Sequence, residues 1–389
     1  MQVGDVVGAR YRVTQSIGGG GMARTFKALD MEENRAVMIK TPALGTREKL
    51  GTDAERKLLG RFAREGKILH KAAHPNIPKF YDEGIHRGLQ YFAMEFIEGI
   101  TLSRYLAGNR PRVIETACLA VPIAGALIAT HAKNIYHRDL KPDNIMLTCS
   151  GRVYMIDFGI ALSLDDDPTR YTELNVGTLS YMAPERLQGT ADVPSSDLYS
   201  LGCILYLMLT GREPFASRNS GMTTEEQHLH RNPESLRHWA IDTPTEIDEF
   251  VLALLAKRYE DRPSSEDVIE VFKPYLPKLG APEPNPGFDI DLTIPYREPR
   301  AVREVNQQLQ GHKTPRAKFR RARQGDYLTR SAVNERIEKA KSDLACGDLQ
   351  TACASLHALL EEAVATYGQS HEVVQLVAKV LKEAKELVD

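Results

Sequence analysis

The chain has 389 residues, of which 42% are hydrophobic, and its formal net charge at pH 7 is -2. This length and hydrophobic content predict a globular protein of two or three domains, and the charge excludes the overall basic excess that is typical of nucleic-acid-binding proteins. The five cysteines have no CxxC spacing, so we expect reduced thiols and a cytoplasmic location rather than a disulfide scaffold.

We expect no transmembrane segment from the sequence. The N-terminal residues MQVGDVVGARYRV lack the apolar core of a signal peptide. The apolar stretches 117–130 and 198–209 are too short or too interrupted to span a bilayer. Both are therefore interpreted as buried helices.

A hairpin with a glycine-rich tip is predicted near the N-terminus. Residues 11–17 alternate between apolar and polar side chains, and residues 24–29 resume a strand pattern. The tip between them contains Gly18, Gly19, Gly20 and Gly21. Glycine lets backbone N–H groups close over a phosphate because no Cβ intervenes, although this pattern alone is more often a hairpin without a ligand.

Strand and helix patterns follow the hairpin. The strand AVMIK ends at Lys40, and a helical pattern covers 52–71 and contains Glu65. A buried strand at 91–94 then leads into a connector at 95–99. A lysine at a strand end and a glutamate on a helix are usually solvated, so neither residue indicates a function by itself.

The strongest functional signal is the stretch HRDLKPDN at 137–144, followed by DFG at 157–159. Phosphoryl transfer needs one carboxylate to receive the proton of the acceptor hydroxyl and another to hold Mg²⁺ on the phosphates. Asp139 and Asp157 fit those two requirements. Asn144 lies at the spacing where an amide oxygen serves a second metal ion.

Together with GTLSYMAPE at 177–185, these motifs resemble those of the eukaryotic-type serine/threonine protein kinases, in particular their bacterial members. The resemblance implies an α+β protein kinase domain at 1–278 with two lobes. We expect a β-rich N-lobe at 1–94 and a helical C-lobe at 100–278. A kinase for a small molecule, which is the alternative enzyme, would ordinarily lack this full activation segment.

The resemblance assigns roles to the charged residues of the catalytic stretch. It implies that Asp139 is the catalytic base and that Lys141 steadies the transferring phosphoryl group. It also implies that Asn144 and Asp157 are the ligands of Mg²⁺. ATP and Mg²⁺ are therefore the expected cofactors, and serine or threonine hydroxyls of protein substrates are the expected acceptors.

The same resemblance assigns the nucleotide pocket. Lys40, paired with Glu65, is expected to contact the α- and β-phosphates, and Met94 is expected to be the gatekeeper. The other expected nucleotide-binding residues lie on the hairpin, on the strand before Lys40, on the connector and on the floor of the cleft. They are Ile17, Gly18, Gly19, Gly20, Gly21, Thr25, Met38, Glu95, Ile97 and Leu147.

Three positions depart from the family pattern. Ala23 replaces the third glycine, Thr25 replaces the valine that covers the adenine, and Met38 replaces a small alanine. Methionine is unbranched and adaptable, so a change of rotamer can accommodate it. The alternative to an active kinase is a pseudokinase scaffold that recruits partners through its C-terminal helical domain, although every charged catalytic position is retained.

The segment between Asp157 and Glu185 has the length of an activation loop. Arg138 precedes the expected base, and in kinases with that arginine a phosphate on this segment organises the site through charge-assisted hydrogen bonds. By position, Thr172 is the first candidate phosphosite and Thr169 is the second. The alternative is that both are unmodified loop residues.

Three more residues are expected to support the C-lobe rather than to take part in the chemistry. By the same resemblance, Asp197 holds the backbone of the catalytic loop, and Arg262 pairs with Glu185. The alternative for Asp197 is a plain carboxylate at a helix N-terminus, where the helix dipole favours negative charge.

The composition changes after residue 278. We interpret 279–330 as a linker that is first proline-rich and then basic, with ten Lys or Arg against three Asp or Glu in 297–330. Such a tract is typical of a tether or a partner-docking segment, with an anionic membrane or nucleic acid as alternatives. Thr293 and Thr314, each near a proline, are candidate phosphoacceptors.

Helical periodicity returns at 331–389 and predicts a small α-helical domain. The run GDLQTACASLHALL is similar to half of a tetratricopeptide hairpin, but one repeat cannot bury its own face. We therefore expect a small bundle that docks on the kinase domain, on a partner or on a second copy of itself. The apolar stripes are Ile337, Ala340, Leu344; Ala352, Leu356, Leu359, Leu360; and Val373, Leu376, Val377, Val380.

Overall fold

The computed structural model describes residues 1–19, 23–43, 53–158, 179–215, 221–285, 287–288 and 290–299, and in the C-terminal part residues 336–337, 340, 355–361, 363–364 and 372–385. The chain divides into two compact units, Met1–His312 and Lys313–Asp389.

The first unit begins with a six-stranded antiparallel sheet in the order β1-β2-β3-β4-β6-β5. Its strands are Val6–Val7 (β1), Tyr11–Gly19 (β2), Ala23–Asp30 (β3), Arg35–Pro42 (β4), Phe80–His86 (β5) and Leu89–Glu95 (β6). Helix α1, Asp53–Lys71, lies between β4 and β5 in the chain. This is the predicted β-rich N-lobe.

Strands β3 and β4 show how the sequence positions a charged residue in the N-lobe. Along β3, alternate side chains such as Phe26 and Ala28 are buried in an apolar cluster, because successive side chains of a strand point to opposite faces. At the end of β4 this alternation stops, and Lys40 and Thr41 are both buried. A buried ammonium group requires charged or hydrogen-bonding partners.

The rest of the first unit is mainly helical and includes a three-stranded sheet in the order β7-β8-β9. Its elements are β7 (Gly99–Thr101), α2 (Leu102–Gly108), α3 (Val113–His131), β8 (Ile145–Thr148), β9 (Val153–Met155), α4 (Pro184–Leu187), α5 (Pro194–Thr210), α6 (Thr224–His230), α7 (Thr245–Leu254), α8 (Ser265–Phe272) and α9 (Ile294–Arg297). This is the predicted helical C-lobe, so the bilobal α+β fold is confirmed.

Helices α3 and α5 form the centre of the C-lobe, since most of their side chains are buried. Among the helices within the described ranges, α3 is the one that is long and apolar enough to cross a membrane. Its buried side chains include Glu115 and Thr116. Helices that are apolar around their circumference are typical of a protein core, which agrees with the interpretation of 117–130 and 198–209 as buried helices.

The described residues of 281–299, which we name the strap, differ from the linker expected there. Ile290 and Leu292 are buried in the same apolar cluster as the side chains of α3 and α5. Phe288 packs edge-on against Tyr105 of α2, with ring centroids 5.9 Å apart. The proline-rich sequence does not reveal this packing because the strap has no helical or strand period.

Hydrogen bonds also attach the strap to the start of α3. The Arg112 guanidinium donates to the Pro284 carbonyl at 2.7 Å. The Asn285 amide donates to the carboxylate of Glu115. The strap is therefore held to the C-lobe by polar as well as apolar contacts.

Thr293 lies inside the strap and is fully buried. Its hydroxyl donates to the Asp291 carboxylate at 2.5 Å and accepts from Arg297 Nε at 2.7 Å. Arg297 also forms an ion pair with Asp291. The suggestion that Thr293 is a phosphoacceptor is wrong for this folded state, because its oxygen is inaccessible and already bonded. Thr314 lies outside the described residues.

The second unit contains helix α10, Glu372–Lys385, and shorter described helical segments. In α10 the buried residues are Val374, Val377, Val380 and Leu381, whereas Leu376 is 41% exposed. The stripe predicted through Leu376 is therefore displaced around the helix. The buried side chains form one cluster: Ile337, Ala340, Leu356, Leu359, Ala363, Val374, Val377, Val380 and Leu381.

Candidate active site

A buried carboxylate at the start of α5 forms hydrogen bonds with the backbone of the catalytic stretch 137–144. Asp197 accepts the backbone N–H groups of His137 and Arg138, each at 2.8 Å, and its Oδ2 lies 2.8 Å from His131 Nε2. Burial raises the pKa of Asp197, but the His131 contact and the neighbouring histidines outweigh burial and hold the pKa below its usual value. The carboxylate thus stays ionised and fixes the backbone just before Asp139.

His137 connects the catalytic stretch to the chain before Asp157. Its ring Nε2 lies 2.9 Å from the Ile156 carbonyl, and its Nδ1 lies 3.4 Å from the backbone nitrogen of Asp139. Burial lowers the pKa of His137, so the neutral ring donates from Nε2 and accepts at Nδ1. Phe158 is buried and packs on this ring with centroids 4.8 Å apart.

Asp139, Lys141 and Asn144 form one compact group. Lys141 Nζ lies 2.8 Å from Asp139 Oδ2. The amide nitrogen of Asn144 donates to the backbone carbonyl of Asp139 at 2.7 Å and to its Oδ2 at 3.0 Å. Because the amide nitrogen faces Asp139, the amide oxygen of Asn144 is turned away from that carboxylate.

Lys40 brings together two carboxylates from different elements. Its Nζ lies 2.5 Å from Glu65 Oε1, on α1, and 2.8 Å from Asp157 Oδ1. Burial lowers the pKa of Lys40, but the charges of Asp157 and Glu65 outweigh burial and raise it above its usual value. The lysine is therefore charged in the cleft.

The two carboxylates around Lys40 differ in their surroundings. Burial raises the pKa of Glu65 despite the nearby lysine. At Asp157, burial also raises the pKa, but the charge and hydrogen bond of Lys40 outweigh it and lower the pKa. The Asp157 side chain is 49% exposed, and its backbone φ of 53° places it in the left-handed region. The Asp157 carboxylate is thus partly open to solvent, and its backbone has a conformation that few residues other than glycine adopt.

The side chains expected to line the adenine pocket belong to both lobes. Met94, Ile97 and Leu147 are buried. Met38 is partly buried and lies directly opposite Met94 in the pairing of β4 with β6. Ile17 is an exposed residue of β2, and the backbone N–H of Glu95 donates to the Lys79 carbonyl at 2.8 Å.

Thr25 forms a hydrogen bond between the two strands of the glycine-rich hairpin, which the sequence did not predict. Its hydroxyl donates to the Gly18 carbonyl at 3.1 Å, and the two residues are paired in the β2–β3 ladder. A valine cannot make this bond, so the substitution ties the two strands of the hairpin together. Gly19 ends β2, whereas Gly20 and Gly21 lie outside the described residues.

The structure also shows the predicted pair of Arg262 and Glu185 in the C-lobe. Arg262 Nη1 and Nη2 each lie 2.7 Å from an oxygen of Glu185, and all of these groups are buried. Ser196 donates to the same carboxylate at 2.5 Å. This buried bidentate pair ties α4 to the chain just before α8. The candidate phosphosites Thr169 and Thr172 lie outside the described residues.

The sequence reasoning missed the partner of Arg138. Arg138 Nη2 lies 2.6 Å from Asp192 Oδ2, in the loop between α4 and α5. No motif or spacing marks Asp192 in the sequence, because the pair joins residues far apart in the chain.

The chain is similar in sequence to known protein kinases. The family model described as protein kinase domain matches residues 11–275. The chain is 34% identical over 265 residues to "Serine/threonine-protein kinase PrkC" of Bacillus subtilis, covering 67% of this chain and 40% of that protein. It is 32% identical over 264 residues to "Probable serine/threonine-protein kinase PknB" of Lactococcus lactis, covering 67% and 41%. It is 33% identical over 273 residues to "Serine/threonine-protein kinase PkaA" of Streptomyces coelicolor, covering 67% and 49%. The chain thus spans less than half the length of these relatives.

Proposed function

The chain belongs to the protein kinase domain family, and from this premise we propose that it transfers the γ-phosphoryl group of ATP to serine and threonine hydroxyls of proteins. The observation that carries the proposal is the meeting of Lys40, Glu65 and Asp157 in one set of ion pairs. These residues come from β4, from α1 and from the chain after β9. Such an arrangement positions phosphates and neutralises their charge, which is the main task of a protein in phosphoryl transfer.

The residues of the cleft fit the binding of Mg²⁺. This ion prefers oxygen ligands and is usually held by one or two protein groups together with substrate phosphates. Asp157 offers a carboxylate that is half open to the cleft, and Asn144 offers an amide oxygen turned away from Asp139. Among the described residues no cluster of three His, Cys, Asp or Glu side chains suits a metal, so phosphate oxygens would complete the coordination. When bound, the ion would neutralise negative charge on the phosphates.

The chain's own groups account for the transfer step. The acceptor oxygen forms a bond to the γ-phosphorus while the bond from that phosphorus to the departing ADP oxygen breaks. Asp139 receives the hydroxyl proton, and Lys141, 2.8 Å from Asp139, supplies positive charge beside the transferring group. Lys40 orients the α- and β-phosphates, and Glu65 orients Lys40.

The relatives' names and the retained charged residues give the pseudokinase alternative no support. Thr25 and Met38 change the roof of the nucleotide pocket, but neither removes a charged group. Methionine at position 38 faces Met94 across the sheet, where two flexible side chains can adjust together. The proposal is therefore an active kinase with an altered adenine pocket.

Two finer proposals concern location and partners. The described cysteines Cys118, Cys149 and Cys203 are free, and burial raises the pKa of the Cys118 and Cys203 thiols. Free thiols, two of them buried, agree with a cytoplasmic location. We also propose that residues 331–389 bind a protein partner or a second copy of the chain, because a half-repeat is too small to form a stable solenoid.

The test is transfer of radiolabelled phosphate from ATP to a general protein substrate, comparing the wild type with Asp139→Asn. We expect at least about a hundredfold lower rate for the variant, since a positioned general base contributes about that much or more. Glu234→Gln, which removes an exposed C-lobe carboxylate paired with Arg231, serves as the control and should match the wild type. Equal rates for the wild type and Asp139→Asn would refute the assignment.

A further inference from the structure

The strap lies against the turn that joins β8 to β9. Gly151, in this turn, has a φ of 74°. A Cβ added to Gly151 would lie 2.2 Å from the Asp291 carbonyl oxygen and 2.9 Å from Pro295 Cδ. Only glycine allows so close an approach of two backbones. The strap and the turn are therefore in direct contact.

The β8–β9 hairpin connects the two proposed ligands of Mg²⁺. Asn144 comes directly before β8, and Asp157 follows β9 after one residue. The Ile156 N–H donates to the Asn144 carbonyl at 2.9 Å, so the open end of the hairpin is held together. Leu147, expected on the floor of the nucleotide pocket, lies in β8. Because β8 has four residues and β9 has three, a tilt of the turn moves all of these positions.

The strap is a loop that is closed at its base and held by its own side chains. The Gly280 N–H donates to the Arg297 carbonyl at 3.0 Å, and Arg297 Nη1 donates to the Ala281 carbonyl at 2.9 Å. Within the loop, Arg297 also binds the carboxylate of Asp291 and the hydroxyl of Thr293. Compact loops with adjacent ends are frequently functional. The residue that meets the hairpin turn is thus fixed inside an ordered loop.

The strap also contacts the helix that follows the neighbouring strand. Phe288 packs on Tyr105 of α2, and α2 begins directly after β7. In the pairing of β7 with β8, Ile100 lies opposite Leu147. The strap therefore supports β8 at its turn and, through α2, beside its paired strand.

We propose that the strap is a positioning element of the nucleotide site. It holds the β8–β9 hairpin so that Asn144, Asp157 and Leu147 stay where they bind Mg²⁺ and ATP, and it acts through the hairpin rather than by contact with the nucleotide. The strap lies beyond residues 11–275, which the family model matches. The working kinase domain of this chain accordingly extends to residue 299. This inference rests on the proposed kinase function.

The experiment measures binding of Mg·ADP to the full chain by isothermal titration calorimetry, which gives the Kd and the number of sites separately. Leu292→Ala loosens the strap next to Asp291. Leu236→Ala is the matched control, because both leucines are fully buried in the same apolar cluster. Leu236 lies between α6 and α7 and packs near α5 and α7.

We expect Leu292→Ala to weaken the binding of Mg·ADP. If the loosened strap leaves about one fifth of the molecules with the hairpin in place, the Kd rises about fivefold. Leu236→Ala should lose a similar amount of stability and keep the Kd of the wild type. A loss of folded protein lowers the number of sites and not the affinity. In a peptide phosphorylation assay, the KM for ATP should rise with the Kd, and the KM for the peptide should not.

A second pair of variants tests the contact from the side of the hairpin, and it serves also if Leu292→Ala does not fold. Gly151→Ala forces the strap away from the turn. Gly88→Ala, with a φ of 80°, has the same backbone strain, but no described atom beyond its chain neighbours lies within 4 Å of the added Cβ. We expect only Gly151→Ala to raise the Kd. Combined with Leu292→Ala, it should add little, because both changes break one contact.

An unchanged Kd in folded Leu292→Ala or Gly151→Ala would overturn the proposal, and so would an equal rise in Leu236→Ala. Fully additive effects of Gly151→Ala and Leu292→Ala would overturn it as well, since the glycine would then act on the turn without the strap. If the wild type itself binds no Mg·ADP, the proposed function fails. That outcome is distinct from a protein that binds Mg·ADP with an affinity independent of the strap.

Discussion

The strap can be tested with two leucines that lie on either side of its start. Leu292 is fully buried in the C-lobe core, whereas Leu279, just before the strap, is 76% exposed. Replacing a buried leucine with alanine costs about 2–5 kcal/mol through lost transfer energy and the cavity left behind. Leu279→Ala should cost about 0.5 kcal/mol or less, because only about a quarter of that side chain is removed from water. A flexible linker would make both substitutions neutral.

The assay is urea unfolding of the full chain followed by tryptophan fluorescence. The chain has one tryptophan, Trp239, which lies in the first unit, so the signal reports on the lobe that the strap contacts. With an m-value of about 3 kcal/mol/M, a loss of about 3 kcal/mol lowers the midpoint by about 1 M. Midpoints that agree for Leu292→Ala and Leu279→Ala would refute the packing of the strap.

Two further predictions concern the buried pair of Glu185 and Arg262. Arg262→Met should destabilise the first unit by about 3–5 kcal/mol, because it leaves a buried carboxylate without its partner; Arg258→Met, at a 74% exposed arginine, should stay within about 0.5 kcal/mol in the same urea assay. Burial raises the pKa of Glu185, but Arg262 outweighs it and lowers the pKa below its usual value. The stabilisation by the pair is therefore present above the unfolded-state pKa of about 4.3 and is lost as pH falls through the lower folded-state pKa. The difference in free energy of unfolding between the wild type and Arg262→Met should therefore decrease from pH 7 towards pH 3. A difference that stays constant with pH would contradict this explanation.

Much of the fold and of the candidate site is predictable because the informative residues are close together in the chain. Asp139 and Asn144 lie in one loop, so their sequence spacing already limits how far apart they can be. Helices α3 and α5 are predictable as core helices because their sequences are apolar on all sides and leave no polar face for solvent. These local patterns led to the protein kinase family, which the comparisons confirm.

Other features depend on residues that are distant in the chain and carry no pattern. Strap residues pack because the C-lobe presents an apolar surface to Ile290 and Leu292, and a proline-rich sequence without a period gives no sign of that surface. In α10, the choice of Val374 over Leu376 for the buried side depends on its neighbours in the cluster. Periodicity alone allows either face, since the two stripes differ by a small rotation of the helix.

The sequence by itself determined the lobes, their order and the charged groups available for phosphate chemistry, since these follow from local motifs and periodicity. The tertiary structure alone decided that Asp157 joins the predicted pair of Lys40 and Glu65, and that Arg138 faces Asp192. The physical reason is that an ion pair depends on distance in space and on burial. Both are properties of the packed chain, and neither follows from the separation of two residues along it.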